Sequence, residues 1–126
     1  MNPKEVAKHY IQLLEQGSTE AIIQLFSENG QVYSPIYGVK SAKNFYRDLS
    51  DDTNNSELKV KGLFTEEDSS RLAIYFEYQW TLKNGQIVLF DVVDILEFDD
   101  QNKIVELKII YDTVQSRAMV ESMKKD

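Results

Sequence analysis

Apolar residues recur at helical spacing through the first half of the chain. This spacing predicts three helices: residues 3–16, a short second helix that carries Ala21, Ile22, Leu25 and Phe26 and stops at Asn29-Gly30, and a third helix with Ala42, Phe45, Tyr46 and Leu49 on one face. Ser41 is the expected N-cap of the third helix, because its hydroxyl can accept a backbone N–H of the first turn. Residues 31–34 are expected to form a brief strand that Pro35 ends, and the polar stretch 50–56 is expected to be a loop.

Apolar and polar residues alternate through the second half of the chain. This alternation predicts strands near residues 57–64, 71–81, 86–98 and 103–112. The dipeptide Asn84-Gly85 favours a tight hairpin turn, and residues 99–102 favour another. The last three strands are therefore expected to form an antiparallel meander, and residues 113–126 are interpreted as a weak terminal helix or a loose tail.

The order of these elements, helices first and strands last, predicts an α+β fold. In this layout helices cover one face of a long, curved antiparallel sheet. Such a sheet can close into a cone-shaped half-barrel, and its interior is the natural place for an apolar pocket. A chain of 126 residues has the size of one domain, so a single domain is expected over residues 1–126.

One predicted strand carries an acidic residue on its apolar face. Side chains alternate across a strand, so in the stretch FDVVDILEF, residues 90–98, Asp94 shares its side with two aromatic and two aliphatic residues. Removing a carboxylate from water without a partner is costly, and the usual outcomes are pairing, protonation at a raised pKa, or a functional site. Asp94 is therefore expected to face a core or a pocket.

Composition and charge exclude several classes of partner and cofactor. A formal net charge of -7 repels phosphate backbones and anionic lipids, so neither nucleic acid nor a membrane is expected as a partner. The chain has no cysteine and one histidine, His9, which argues against thiolate chemistry and zinc sites, so no metal and no cofactor is expected. The N-terminus has no secretory apolar region and no stretch approaches the length of a membrane span, so a cytoplasmic protein is expected.

Three stretches carry a resemblance to a known superfamily. In this order of elements, VAKHYIQLLEQGS, IIQLFSENGQVYSP and DILEFDDQNKIVELKIIYD resemble nuclear transport factor 2, SnoaL-like proteins and ketosteroid isomerase, over nearly the whole chain. The resemblance places Tyr10 and Asp94 at the isomerase's oxyanion hole, where a tyrosine and a protonated aspartate donate hydrogen bonds to one substrate oxygen. Ser34 stands where the isomerase has its general base. A serine hydroxyl cannot shuttle a proton at neutral pH without a partner base.

Two classes of function follow from this resemblance. In the first, Tyr10 and Asp94 are catalytic residues of an isomerase, cyclase or lyase that acts on a small apolar carbonyl or phenolic compound. In the second, the chain is a non-catalytic ligand-binding or dimerisation module, and Asp94 is a structural carboxyl bonded to Tyr10 or to a backbone amide. The rest of the expected substrate-binding wall consists of Ser34, Phe45, Val92, Leu96, Leu107, Ile109 and Tyr111.

The two faces of the predicted sheet suggest different roles. The aromatic stripe of Phe76, Tyr78 and Trp80 is interpreted as sheet core or dimer surface and not as a ligand cage. On the opposite face, apolar residues alternate along one strand at Ile87, Leu89, Val93 and Ile95. An apolar surface that helices do not cover is typical of an interface, so a homodimer formed through the sheet is expected.

Overall fold

The structure is a computed structural model that describes residues 1–125. Its elements follow in the order α1 (Pro3–Gln16), α2 (Thr19–Gln24), β1 (Phe26–Ser34), β2 (Gly38–Ser41), α3 (Ala42–Asp52), β3 (Thr53–Thr65), β4 (Arg71–Leu82), β5 (Ile87–Phe98), β6 (Ile104–Ile110) and α4 (Val114–Lys125). Helices precede a long run of strands, which confirms the predicted α+β class.

The first helix begins and ends where the sequence predicts. The Asn2 side chain accepts the Glu5 N–H at 2.9 Å while the Glu5 carboxylate accepts the Asn2 N–H at 3.1 Å, so two orphan donors of the first turn are satisfied. Gly17 ends the helix in the left-handed region, with φ of 71°, which glycine adopts without a Cβ penalty. The apolar face of α1, which includes Tyr10, is buried.

The second helix is shorter than predicted. It stops before Leu25, and Phe26 begins β1, where it pairs with Ile104 of β6. The Leu25 carbonyl also accepts the Ile104 N–H at 3.0 Å. A Cβ on Gly30 would lie 2.9 Å from the Ile104 carbonyl oxygen, so this glycine marks a close approach of two strands and not a helix end. The predicted helix over this stretch was wrong because pairing with a strand distant in sequence overrides the local spacing.

The polar stretch 50–56 is not a loop, contrary to the prediction. α3 continues to Asp52, and β3 begins at the next residue, Thr53. Ser56 pairs with Trp80 of β4, so this stretch already belongs to the sheet. β3 is an edge strand with one side unpaired, and polar side chains are common on such edges. Polarity therefore indicated a loop where the chain forms the start of an edge strand.

The six strands form one curved, open sheet in the order β2-β1-β6-β5-β4-β3. β4, β5 and β6 are antiparallel neighbours, which confirms the predicted meander. β1 lies parallel to β6, and β2, which was not predicted, forms a hairpin with β1. The pairing of β5 with β6 shifts its register between Glu97 and Phe98, and Ile104, which pairs with Phe98, is fully buried.

The C-terminal segment is a helix, which is one of the two interpretations of residues 113–126. α4 spans Val114–Lys125, and Asp126 lies outside the described residues. Val120 is buried against the core, and the Arg117 guanidinium donates a hydrogen bond of 2.7 Å to the Pro35 carbonyl. None of the helices over residues 1–125 is long and apolar enough to cross a membrane.

Candidate functional site

Asp94 lies at the centre of the inner face of the sheet. On β5 it pairs in register with Ile74 of β4 and Ile109 of β6, and only 1% of its surface is exposed. Within residues 1–125, its Oδ1 atom has no hydrogen-bond partner. Burial raises the pKa of the Asp94 carboxyl well above its usual range, because the charged form loses its hydration. The period-two pattern of the strand had predicted this placement.

Tyr10 reaches the same interior from α1. Its hydroxyl shares a hydrogen bond of 2.7 Å with the hydroxyl of Tyr46 on α3, and both side chains are buried. Burial is the main reason that the pKa values of both tyrosines are raised. The sequence had placed Tyr46 on the apolar face of its helix but gave no indication of this pair, because the contact depends on how α1 and α3 pack.

Tyr10 and Asp94 belong to the wall of one cavity of about 40 Å³. Its full lining is Tyr10, Leu14, Ser34, Tyr37, Phe45, Leu49, Phe76, Tyr78, Trp80, Phe90, Val92, Asp94, Ile109 and Tyr111. Seven of the nine predicted site residues are in this lining; the other two, Leu96 and Leu107, are fully buried in the core and do not line the cavity. The role of each residue towards a ligand stays a prediction.

Aromatic rings form much of the cavity wall. Tyr78 stacks on Phe90 with centroids 5.5 Å apart, and Phe90 stacks on Tyr111 at 4.6 Å. The Tyr78 hydroxyl is bonded to Ser56 at 2.8 Å, and the Trp80 indole N–H donates to Thr53 at 2.8 Å, so their polar groups are satisfied outside the cavity wall. The aromatic stripe of β4, which was interpreted as sheet core or dimer surface and not as a ligand cage, belongs both to the core and to the cavity lining.

Ser34 lies at the end of β1, at the cavity. Its Oγ accepts the backbone N–H groups of Ile36 and Tyr37 at 3.3 and 3.2 Å, an arrangement that stabilises the turn after Pro35. The hydroxyl therefore has a structural role in this turn. Among the described lining residues, Asp94 is the only carboxylic acid.

Tyr37 is a lining residue that sequence reasoning missed. Its hydroxyl donates a hydrogen bond of 2.6 Å to Oδ2 of Asp52, at the end of α3. Asp52 is 5% exposed, and its Oδ1 accepts a bond of 2.7 Å from the Lys124 ammonium of α4. No periodicity precedes Tyr37, and Asp52 stood in a stretch predicted to be a loop, so no local pattern pointed to this chain of contacts.

The arrangement can bind an oxygen atom in an apolar setting. A neutral aspartic acid has one O–H to donate, and a tyrosine hydroxyl has another. Donors in a site that excludes water interact more strongly with an acceptor than they do in solution. The described part of the chain, residues 1–125, has no cluster of three or more side chains suited to hold a metal ion.

Comparison with known proteins gives the same fold. No protein-family model matches the chain. A nuclear transport factor 2-like protein of unknown function from Burkholderia pseudomallei superimposes with a TM-score of 0.81 at 12% identity, covering 95% of this chain and 98% of that one. TerC, co-crystallized with polyporic acid, gives a TM-score of 0.79 at 16% identity, with 94% and 98% covered.

An enzyme is also among the similar structures. SalBIII, an epoxide hydrolase/cyclase-like enzyme with a role in pyran ring formation in the polyether salinomycin, gives a TM-score of 0.77 at 18% identity, with 87% of this chain and 90% of that chain covered. At such low identities the likeness concerns the fold alone. The chain has the cone-shaped α+β fold of the nuclear transport factor 2-like proteins, as its sequence predicted.

Proposed function

We propose that the protein binds a small apolar ligand that carries one hydrogen-bond-accepting oxygen, such as a carbonyl or phenolic compound. Tyr10 and protonated Asp94 donate hydrogen bonds to that oxygen. The observation that carries the proposal is the buried Asp94 Oδ1 atom in the cavity wall, which has no partner within residues 1–125. Leaving a buried polar atom unpaired costs about 1–3 kcal/mol, and a bound ligand that pairs with it offsets this cost.

The protonation state supports the two donor roles. The raised pKa of Asp94 favours the neutral acid, which can donate a hydrogen bond where a carboxylate could only accept one. When Tyr46 donates to Tyr10, the Tyr10 proton is free to point towards a ligand. A chain from Tyr46 through Tyr10 to the ligand oxygen polarises each bond along it, and this strengthens the contact.

The cavity volume constrains how a ligand is accommodated. At about 40 Å³, the cavity has room for one or two waters. Typical ligand pockets enclose about 300–1,000 Å³. Binding of anything larger than a few atoms therefore requires side chains of the wall to move, and the aromatic wall limits the ligand to a flat or compact shape.

Binding is proposed ahead of turnover because the site lacks an evident base. Proton transfer at carbon needs a group whose pKa is matched to the task, and the hydroxyl of Ser34 already accepts two backbone N–H groups. If the protein is an enzyme, it is an isomerase, cyclase or lyase with another base. TerC, which was co-crystallized with polyporic acid, and the cyclase-like enzyme SalBIII support the proposal, because both link this fold to small organic molecules. A non-catalytic ligand-binding or dimerisation module of the same fold is the second candidate, and the small cavity favours its dimerisation form.

The proposal can be tested by titrating the protein with 4-nitrophenol and following the fluorescence of Trp80, the single tryptophan, which lines the cavity. The wild type should bind the probe. Tyr10→Phe removes one donor and should weaken binding about tenfold, in keeping with about 1.5 kcal/mol for such a bond. Tyr33→Phe is the matched control, because the Tyr33 hydroxyl donates a hydrogen bond to the exposed Gln31 at 3.4 Å and does not line the cavity. Equal affinities of wild type and Tyr10→Phe would contradict the proposal.

The outer face of the sheet supports a homodimer as part of the same proposal. Ile87 and Leu89 of β5 and Ile110 of β6 are 54%, 55% and 46% exposed, and they share this face with Val93 and Ile95. A second copy related by a two-fold axis would cover the same patch on both chains. Light scattering should give a dimer mass at micromolar concentration and a monomer for Leu89→Glu. A wild-type monomer would contradict it. The cytoplasmic location expected from the sequence remains part of this proposal.

A further inference from the structure

Tyr37 lies between the cavity around Asp94 and a groove on the protein surface. The ring belongs to the wall of the cavity around Asp94 and also to the wall of a groove of about 560 Å³ between α3 and α4. The opposite wall of the groove includes Arg117, Val120 and Lys124 of α4. Among the described residues that line the cavity, Tyr37 is the one that also lines this groove. Movement of this one side chain would join the cavity to the groove beneath α4.

A chain of polar contacts holds Tyr37 in its present position. The Tyr37 hydroxyl donates to Asp52 at 2.6 Å, and the Lys124 ammonium donates to the other oxygen of Asp52 at 2.7 Å. One carboxylate thus ties the cavity wall to the last turns of α4. We call Tyr37, Asp52 and Lys124 the latch. A separate bond from Arg117 to the Pro35 carbonyl, 2.7 Å long, fixes the other end of α4 to the turn that carries Tyr37.

We propose that the ligand reaches Asp94 through the groove beneath α4, and that the latch of Tyr37, Asp52 and Lys124 keeps this entrance closed. The inference rests on the proposed function, since it concerns access to the same cavity. All three residues of the latch are in contact in this structure, so ligand entry by this route requires their contacts to open.

The contacts of the latch suit a reversible closure. The carboxylate of Asp52 is nearly buried, with a side-chain exposure of 7%, whereas the Lys124 side chain is 57% exposed. When this ion pair opens, the exposed Lys124 ammonium is already hydrated, and Asp52 is the partner that has to regain water. The latch can therefore open without unfolding of the sheet, and α4, which has few buried residues, is the element that moves.

The first experiment measures the entrance without any ligand. Trp80 is 2% exposed and lines the cavity, so its quenching by acrylamide reports how often the cavity opens. Lys124→Met and Asp52→Asn should each raise the quenching constant about twofold to fivefold. Lys61→Met is the matched control, because Lys61 pairs with Asp91 on the outer face of the sheet. Quenching that is unchanged in both latch variants would overturn the proposal.

The second experiment measures ligand binding by stopped flow with 4-nitrophenol. If the latch closes the free and the bound protein alike, Lys124→Met should raise the association and dissociation rate constants together, about twofold to fivefold, and leave Kd unchanged. A change in Kd with no change in the association rate would overturn the proposal. Failure of the wild type to bind any phenol would remove the proposed function, while the quenching result would still decide whether the latch exists.

Discussion

Two aspartates three residues apart on β5 have opposite surroundings. Asp91 points to the outer face, where its side chain is 57% exposed and contacts the Lys61 ammonium at 3.4 Å. Asp94 points inward, is 1% exposed, and its Oδ1 has no partner within residues 1–125. The same carboxyl group is solvated and paired on one face and desolvated on the other, where burial raises its pKa.

The comparison shows that the strand pattern determines on which face of the sheet an acid lies. The packing around that acid then determines its protonation state and its partners. The outer face of the sheet is open to water, so its charges are screened and exchange partners easily. The inner face is covered by α1 and α3. An acid there must therefore be neutral, be paired with another group, or belong to a functional site. The predictions below test this contrast, beginning with the largest expected effect.

The largest effect is expected from a second acid on the inner face. Ser34→Asp would place a carboxylate, with a usual pKa of about 3.9, at the position of the missing base. Isomerisation of an unsaturated ketosteroid should rise by roughly 10²- to 10⁴-fold over the wild type, the range attributed to general base catalysis. Ser34→Asn is the control, because it has a similar shape but no basic group. The measurement is steady-state turnover of the ketosteroid.

Two results would contradict this view of Ser34. Robust turnover by the wild type would mean that another base exists. A Ser34→Asp variant that folds and binds the ligand but remains inactive would mean that the cavity is not aligned for this reaction. The non-catalytic module would then be the better description of the protein.

Replacing the inner aspartate by an apolar residue should separate binding from stability. Asp94→Leu removes a donor and an unpaired buried atom at once. We expect binding of 4-nitrophenol to weaken about tenfold to a hundredfold and the free energy of unfolding to rise by about 1–3 kcal/mol. Asp91→Leu on the outer face should leave binding unchanged. Denaturant titration measures the free energy of unfolding, and fluorescence titration measures the affinity for 4-nitrophenol. A destabilised Asp94→Leu protein would show that Asp94 has a favourable structural role.

The inner acid should also make stability depend on pH. The pKa of Asp94 is raised in the folded protein, so at pH values above about 4 the folded state retains a proton that the unfolded state has lost. The free energy of unfolding should therefore fall as pH rises, by up to about 1.4 kcal/mol per pH unit, until Asp94 ionises in the folded state. Asp94→Asn should lose this component. The measurement is the difference in unfolding free energy between wild type and Asp94→Asn from pH 4 to pH 8, and a difference that is constant with pH would contradict the raised pKa.

The smallest effect is expected on the outer face. Lys61→Met breaks the contacts of this ammonium with Asp91, at 3.4 Å, and Glu77, at 3.6 Å. Since the pairs are solvated, we expect no measurable shift of the denaturation midpoint at physiological salt. A clear loss of stability in differential scanning fluorimetry would show that the two faces differ less than their exposure indicates.

Sequence patterns predicted those parts of the molecule that depend on the local spacing of apolar residues along a helix or a strand. Alternation along β5 was sufficient to place Asp94 inside, and the helical spacing of α1 placed Tyr10. The same reasoning failed at Phe26, because its partner Ile104 is distant in sequence. It could not find the bond between Tyr10 and Tyr46 or the contact of Tyr37 with Asp52, because each joins two elements whose relative position is set by the whole fold.

The position of β1 beside β6 has a consequence for the order of folding. β4, β5 and β6 are consecutive in the chain and joined by short turns, so their pairing closes only small loops. β1 must instead dock parallel to a strand more than seventy residues away, as the pair Phe26 and Ile104 shows, and closing so long a loop is slow. We therefore expect the meander to form early, while the cavity, which also needs Tyr10 from α1 and Ser34 from β1, is assembled in the last step.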